Sequence, residues 1–130
     1  MERKFKNKIA IVTGGAKGIG KCICEEFEKQ GAKVCIIDLL DNTCFSGDLA
    51  DKATLERFAA KVIADHGRVD YLINNALPLF KGIDQCSYEE FEYAHRVGVT
   101  APFYLTKLFL PYFAPGASIV NISSSRDRMS

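Results

Sequence analysis

Apolar positions along the chain fall into two rhythms. Residues 9–12, 34–37, 69–73 and 118–122 are short runs rich in β-branched side chains, the pattern of strands buried on both faces of a parallel sheet. Between the first two, Ile19, Ile23 and Phe27 recur at helical spacing and Gly31 supplies a stop. Between the second and third, Leu55, Phe58, Ala59, Val62 and Ile63 mark one helical face, with Asp51 as the expected N-cap and Gly67 as terminator. Ser87 and Glu90 have capping-box spacing and open a helical region predicted over 87–113, kinked or split at Pro102. The stretch between Asp38 and Asp48 is too short for a crossover helix of ordinary length, so residues 43–46 are expected as a loop or a short extra strand.

Strands alternating with helices need crossover connections, which are right-handed and lay helices on both faces of a parallel sheet. The expected fold class is α/β, a doubly wound, Rossmann-like parallel sheet. With 130 residues and 48% apolar content, one domain with a substantial core is expected over residues 1–130. A net charge of +1 from interleaved acids and bases offers no basic face, so no nucleic-acid partner is expected. The basic opening is followed by an apolar run broken by Thr13 and glycines, which is neither a signal peptide nor a membrane span. The expectation is a soluble, cytoplasmic protein without a membrane partner. Cys22, Cys24, Cys35, Cys44 and Cys86 lack CxxC spacing and read as reduced, mostly buried side chains; His66 and His95 read as helix residues, and no metal site is expected.

Residues 13–20, TGGAKGIG, follow the first strand and run into the first helix. In such a turn glycines let backbone approach a diphosphate, and the helix N-terminus supplies unpaired amides with a partial positive charge of roughly half a unit. Residues 15–21 also spell GxxxxGK, the start of a nucleoside-triphosphate loop. That motif needs Ser or Thr next, where this chain has Cys22, a poor ligand for magnesium. Asp38 ends the second strand, where a carboxylate accepts hydrogen bonds from adenosine ribose hydroxyls. It would repel a 2′-phosphate by about 1 to 4 kcal/mol at about 4 Å, against about 0 to 1 kcal/mol of attraction from an exposed Lys17. NAD is therefore expected over NADP.

With these residues placed, the whole chain resembles the short-chain dehydrogenase/reductase family. TGGAKGIG fits the family's TGxxxGxG; Asp48 and Leu49 resemble its acid–hydrophobic pair at the adenine; and residues 74–76, NNA, fit its NNAG. Residues 97–107 and the IVNISSS run also align. The resemblance assigns Gly14, Lys17, Gly18, Ile19, Gly20, Asp38, Asp48, Leu49, Asn75 and Ala76 to the cofactor, and Ser124 to polarising the substrate carbonyl. It implies an NAD-dependent oxidoreductase moving a hydride between the nicotinamide and a small-molecule alcohol or carbonyl, assembled as a homodimer or homotetramer. The apolar residues Phe91, Phe103, Leu105, Leu108 and Phe109 are open between subunit contact and ordinary core.

Three departures qualify that picture. Leu77 replaces the last glycine of NNAG, and Gly98 stands where many members have a relay asparagine. The family's YxxxK motif, which carries the general acid, would follow Ser130, so residues 1–130 are expected to be an incomplete domain within a longer polypeptide. The alternative reading is a dinucleotide-binding or redox-sensing module without catalysis.

Overall fold

A computed structural model describes residues 3–78 and 81–122. It consists of β1 (Ile9–Thr13), α1 (Gly18–Lys29), β2 (Lys33–Asp38), β3 (Phe45–Ser46), α2 (Lys52–His66), β4 (Val69–Asn74), α3 (Tyr88–His95), α4 (Ala101–Phe109) and β5 (Phe113–Asn121). The strands form one parallel sheet in the order β3-β2-β1-β4-β5. The doubly wound expectation is met, and residues 45 and 46 are the short extra strand, paired with Ile37 and Asp38.

The pleat explains why both sheet faces are apolar. Ile9, Ile11, Cys35, Ile37 and Leu72 point into one cluster with Leu55, Phe58 and Val62 of α2 and Leu105 and Phe109 of α4. Val12, Ile73, Val34 and Ile36 point the other way, onto Cys24, Ile23 and Phe27 of α1. Phe5, inside the basic lead-in, caps this second layer by stacking with Phe27 and Tyr71 at ring-centroid distances of 5.0 and 5.3 Å.

The helix punctuation largely follows the sequence. Gly67 ends α2 in the left-handed region, at φ 70°. The Ser87–Glu90 capping box forms with both of its hydrogen bonds. Asp51 occupies the N-cap of α2, but its carboxylate accepts from the Thr54 hydroxyl at 2.7 Å rather than capping an amide. The predicted 87–113 helix is split: a π turn at Arg96–Thr100 separates α3 from α4, and a 3-10 turn at Leu110–Tyr112 ends the region. Proline at 102 cannot donate to the carbonyl four residues back, and the widened turn lies just before it. Phe113 already belongs to β5, which pairs with β4 from Val69 onward through an irregularity between Val69 and Tyr71. The strand therefore starts earlier than the predicted residue 118.

Candidate functional site

The carboxyl ends of the strands open on a cleft of about 720 Å³, where β1 is flanked by β2 on one side and β4 on the other. That reversal of strand order is the switch point at which open α/β sheets place ligands. Gly14, Lys17, Gly18, Asp38, Asp48, Leu49, Asn75, Ala76 and Leu77 all line it.

The turn between β1 and α1 is fixed from behind. The buried Thr13 hydroxyl accepts from the backbone amides of Asn75 and Ala76 at 3.0 and 2.9 Å. Asn75 Nδ2 donates back to the carbonyls of Thr13 and Gly14, both at 3.1 Å. A Cβ on Gly20 would overlap the Gly14 carbonyl oxygen and Asn75 Nδ2, so only glycine lets α1 lie against the turn. Gly18 has φ +61°, and a Cβ there would meet nothing within 4 Å. Among the described residues no side chain caps the start of α1, and its first turn holds no acid, so its amides and partial positive charge are available to an anion.

The carboxylates lie beyond the turn. Asp38 accepts the Ala16 amide on Oδ2 at 2.9 Å and the Leu40 amide on Oδ1 at 3.0 Å, so it holds the glycine-rich turn as well as its own strand end. Asp48 Oδ1 accepts both the Ala50 amide and the Tyr93 hydroxyl, each at 2.9 Å. Burial, then the Asp48 hydrogen bond, pushes the Tyr93 phenol above its ordinary pKa and keeps it protonated as a donor. Asn42 shapes the loop between the two aspartates: its carbonyl accepts from the Cys44 and Phe45 amides and its amide donates to the Leu40 and Phe45 carbonyls. Glu89 and Glu90 complete an acid-rich lining, with Lys81 paired to Glu90.

Residues 8–130 match the family described as short chain dehydrogenase. The chain belongs to the short-chain dehydrogenase/reductase family. It is 31% identical to an uncharacterized oxidoreductase of Thermotoga maritima over 94% of its own length and 55% of that protein. It is 30% identical to momilactone A synthase of Oryza sativa subsp. japonica, over 94% of this chain and 52% of that one. Among solved structures, an apo SCOR enzyme from Clostridium thermocellum superposes with a TM-score of 0.87 at 38% identity, covering 95% of this chain and 57% of that one. A short chain dehydrogenase from Burkholderia cenocepacia J2315 in complex with NADP shares the fold, with a TM-score of 0.86 at 22% identity. The chain spans about half the length of these relatives.

Family membership settles the competition within residues 13–21 in favour of TGxxxGxG. Cys22, where a triphosphate loop needs a hydroxyl, is exposed. Of the residues the motifs assign to the cofactor, eight line the cleft; Gly20 is buried as a packing contact against Gly14 and Asn75. Ile19 is 68% exposed and lies outside both the lining and the α1 core seam, which is Ile23, Cys24 and Phe27. Ser124 lies outside the described residues. Leu77 is exposed into the cleft, and Gly98 sits in the π turn beside Val97, which also lines it.

The cysteines are less buried than expected: all five are free, but Cys22 is exposed and Cys44 and Cys86 are half-buried. His66 and His95 each close a helix, as read from the sequence. Among the described residues no helix is long and apolar enough to cross a membrane. Sequence reasoning missed Tyr93 as a site residue and Thr13 as its brace. Thr13 opens the glycine motif and was within reach of the pattern, whereas nothing local marks Tyr93.

Proposed function

We propose that the polypeptide carrying this chain is an NAD-dependent oxidoreductase that moves a hydride between the nicotinamide and an alcohol or carbonyl of a small molecule. The observation that carries the reading is one cleft lined together by the glycine turn, Asp38, the Asp48–Leu49 pair and Asn75–Ala76. That donor set fits a dinucleotide. The open outer side of Gly18 and the uncapped start of α1 suit a diphosphate, Asp38 suits a ribose diol, and Asp48 with the edge of Leu49 suits a purine bearing an amino group.

When bound, the nicotinamide supplies the hydride chemistry. The chain's own residues bind and orient: amides at the turn hold charge, Thr13 and Asn75 keep the turn from relaxing, and Leu77 crowds the inner wall. By family resemblance Ser124 polarises the substrate oxygen, and the tyrosine and lysine of a YxxxK motif beyond residue 130 would move the proton. Exposed Phe91, at 61%, and Phe103, at 65%, are read as subunit-packing residues of a homo-oligomer, while Leu105 and Phe109 are core.

Among the described residues the cleft is lined by Asp38, Asp48, Glu89 and Glu90 and by one cation, Lys17. A 2′-phosphate would enter among carboxylates, so NAD is preferred. Titration of the full-length protein with NADH and NADPH should give tighter NADH binding, by roughly tenfold or more. Equal affinities would overturn the assignment. Asp38→Ala should narrow the gap while weakening both ligands, because it also releases the Ala16 amide.

A further inference from the structure

Tyr93 is tied to the site by one bond that crosses the chain. It sits on α3, 45 residues from Asp48, yet its hydroxyl donates to Asp48 Oδ1 at 2.9 Å. The same oxygen takes the Ala50 amide, also at 2.9 Å. A carboxylate oxygen has two lone pairs, so Oδ1 is saturated. Among the described residues Oδ2 accepts no hydrogen bond, and Asp48 and Tyr93 both line the cleft. The phenol ring packs against the core cluster that contains Leu49 and Val97, which leaves it little freedom to swing away.

From this geometry we infer that Tyr93 is a positioning residue for base recognition: it locks the Asp48 carboxylate so that Oδ2 alone is presented, as a pure acceptor, to the purine of the dinucleotide. The inference rests on the dinucleotide reading of the cleft. An acceptor-only oxygen favours a base with an amino donor at its six position, adenine, and disfavours one with a carbonyl there, hypoxanthine, whose lone pairs would face the carboxylate. Without the Tyr93 bond, Asp48 can rotate about its side-chain torsions, share either oxygen with water, and discriminate less.

The test is fluorescence titration of the full-length protein with NADH and with its hypoxanthine analogue, reduced nicotinamide hypoxanthine dinucleotide. The wild type should prefer NADH. Tyr93→Phe keeps the ring and removes one oxygen; it should lower that preference roughly three- to tenfold, the scale of one hydrogen bond, with affinity for the analogue little changed. A mere packing role would weaken both ligands in parallel or neither, and either result overturns the inference. A second variant, Asp48→Asn, keeps the side-chain shape. The Ala50 amide can only donate, so the carboxamide oxygen must stay at the Oδ1 position and the amide nitrogen must face the cleft, reversing the preference toward the hypoxanthine analogue. A preference left unchanged by Asp48→Asn would mean that the cleft-facing atom of residue 48 does not read the base, and would overturn the inference. A wild type that binds both dinucleotides equally well removes base reading by Asp48 and leaves the dinucleotide assignment standing. A wild type that binds neither removes the assignment itself, and the inference with it.

Discussion

Aspartates stand at both ends of the sheet, and their surroundings differ. At the amino end of β4, Asp70 has a side chain only 4% exposed. Its Oδ2 accepts the Ile9 amide at 2.9 Å and Arg68 Nε at 3.1 Å; its Oδ1 accepts Arg68 Nη2, with Lys8 Nζ 3.9 Å away. At the carboxyl end, Asp38 takes one backbone amide on each oxygen, and Asp48 keeps Oδ2 unengaged among the described residues. One residue type thus does two jobs. Where the chain gives the carboxylate three hydrogen bonds and two cations, it joins strands; where a cleft-lining carboxylate keeps one oxygen without a partner among the described residues, it can recognise something else.

Removing Asp70 should give the largest effect and should be confined to stability. Asp70→Ala loses charge-assisted hydrogen bonds and leaves the Ile9 amide unpaired, a cost of roughly 2 to 4 kcal/mol read from the urea midpoint, with the NADH-to-NADPH preference unchanged. A variant as stable as the parent, or one with altered cofactor preference, would erase the distinction between the two ends. The pH dependence follows from the carboxyl's own environment. Burial would raise its pKa, but the Arg68 guanidinium, the Ile9 amide and Lys8 outweigh burial and hold it below the ordinary value. The unfolded chain therefore binds the proton first. The contribution is complete above the ordinary carboxylate pKa of about 4 and fades as pH falls through the folded value. The stability difference between parent and Asp70→Ala should shrink on acidification through that range.

Gly20 tests the other end. An alanine there would overlap backbone at Gly14 and the Asn75 amide, groups that cannot step aside as a flexible side-chain tip can. Gly20→Ala should cost about 1 to 3 kcal/mol and lower NADH affinity at least tenfold, since relief of the clash comes only by opening the diphosphate turn. Gly18→Ala meets no neighbour and carries only the strain of its positive φ, so it should cost about 1 to 2 kcal/mol. Equal effects at the two glycines would mean that conformation, not close packing, decides the cradle.

Much of this was legible where chemistry is local. Short β-branched runs announce buried strands, and the glycine turn, Asp38 and the NNA run sit at strand ends because ligands and turns demand small or polar residues there. What stayed hidden depends on partners distant in sequence. Which amide Asp38 would hold, and that a tyrosine 45 residues on would hold Asp48, are facts of packing. The early start of β5 also depends on a distant partner: Pro115 and Gly116, residue types that weaken a strand, are tolerated there beside the irregular pairing between Val69 and Tyr71 of β4. Pro102 announced a break in the long helix without its form, since a kink and a widened turn satisfy a missing amide equally well.

The smallest expected effect concerns a residue that belongs to neither end by contact alone. Gly98 lies in the π turn next to a cleft-lining residue, but its backbone is not in the left-handed region, and a Cβ there would meet only Pro78, at 3.6 Å, an ordinary contact. Nothing in that geometry requires glycine, so Gly98→Ala should recover part of the helical penalty, about 0.5 to 1 kcal/mol. In a full-length protein that corresponds to a rise in Tm of about 1 to 4 °C. If NADH affinity holds while Tm rises, Gly98 is part of the frame; if affinity changes, the π turn is part of the cleft wall. A loss of stability would show that the widened turn itself depends on the missing side chain, and would move Gly98 from the packing of the helices to the construction of the site.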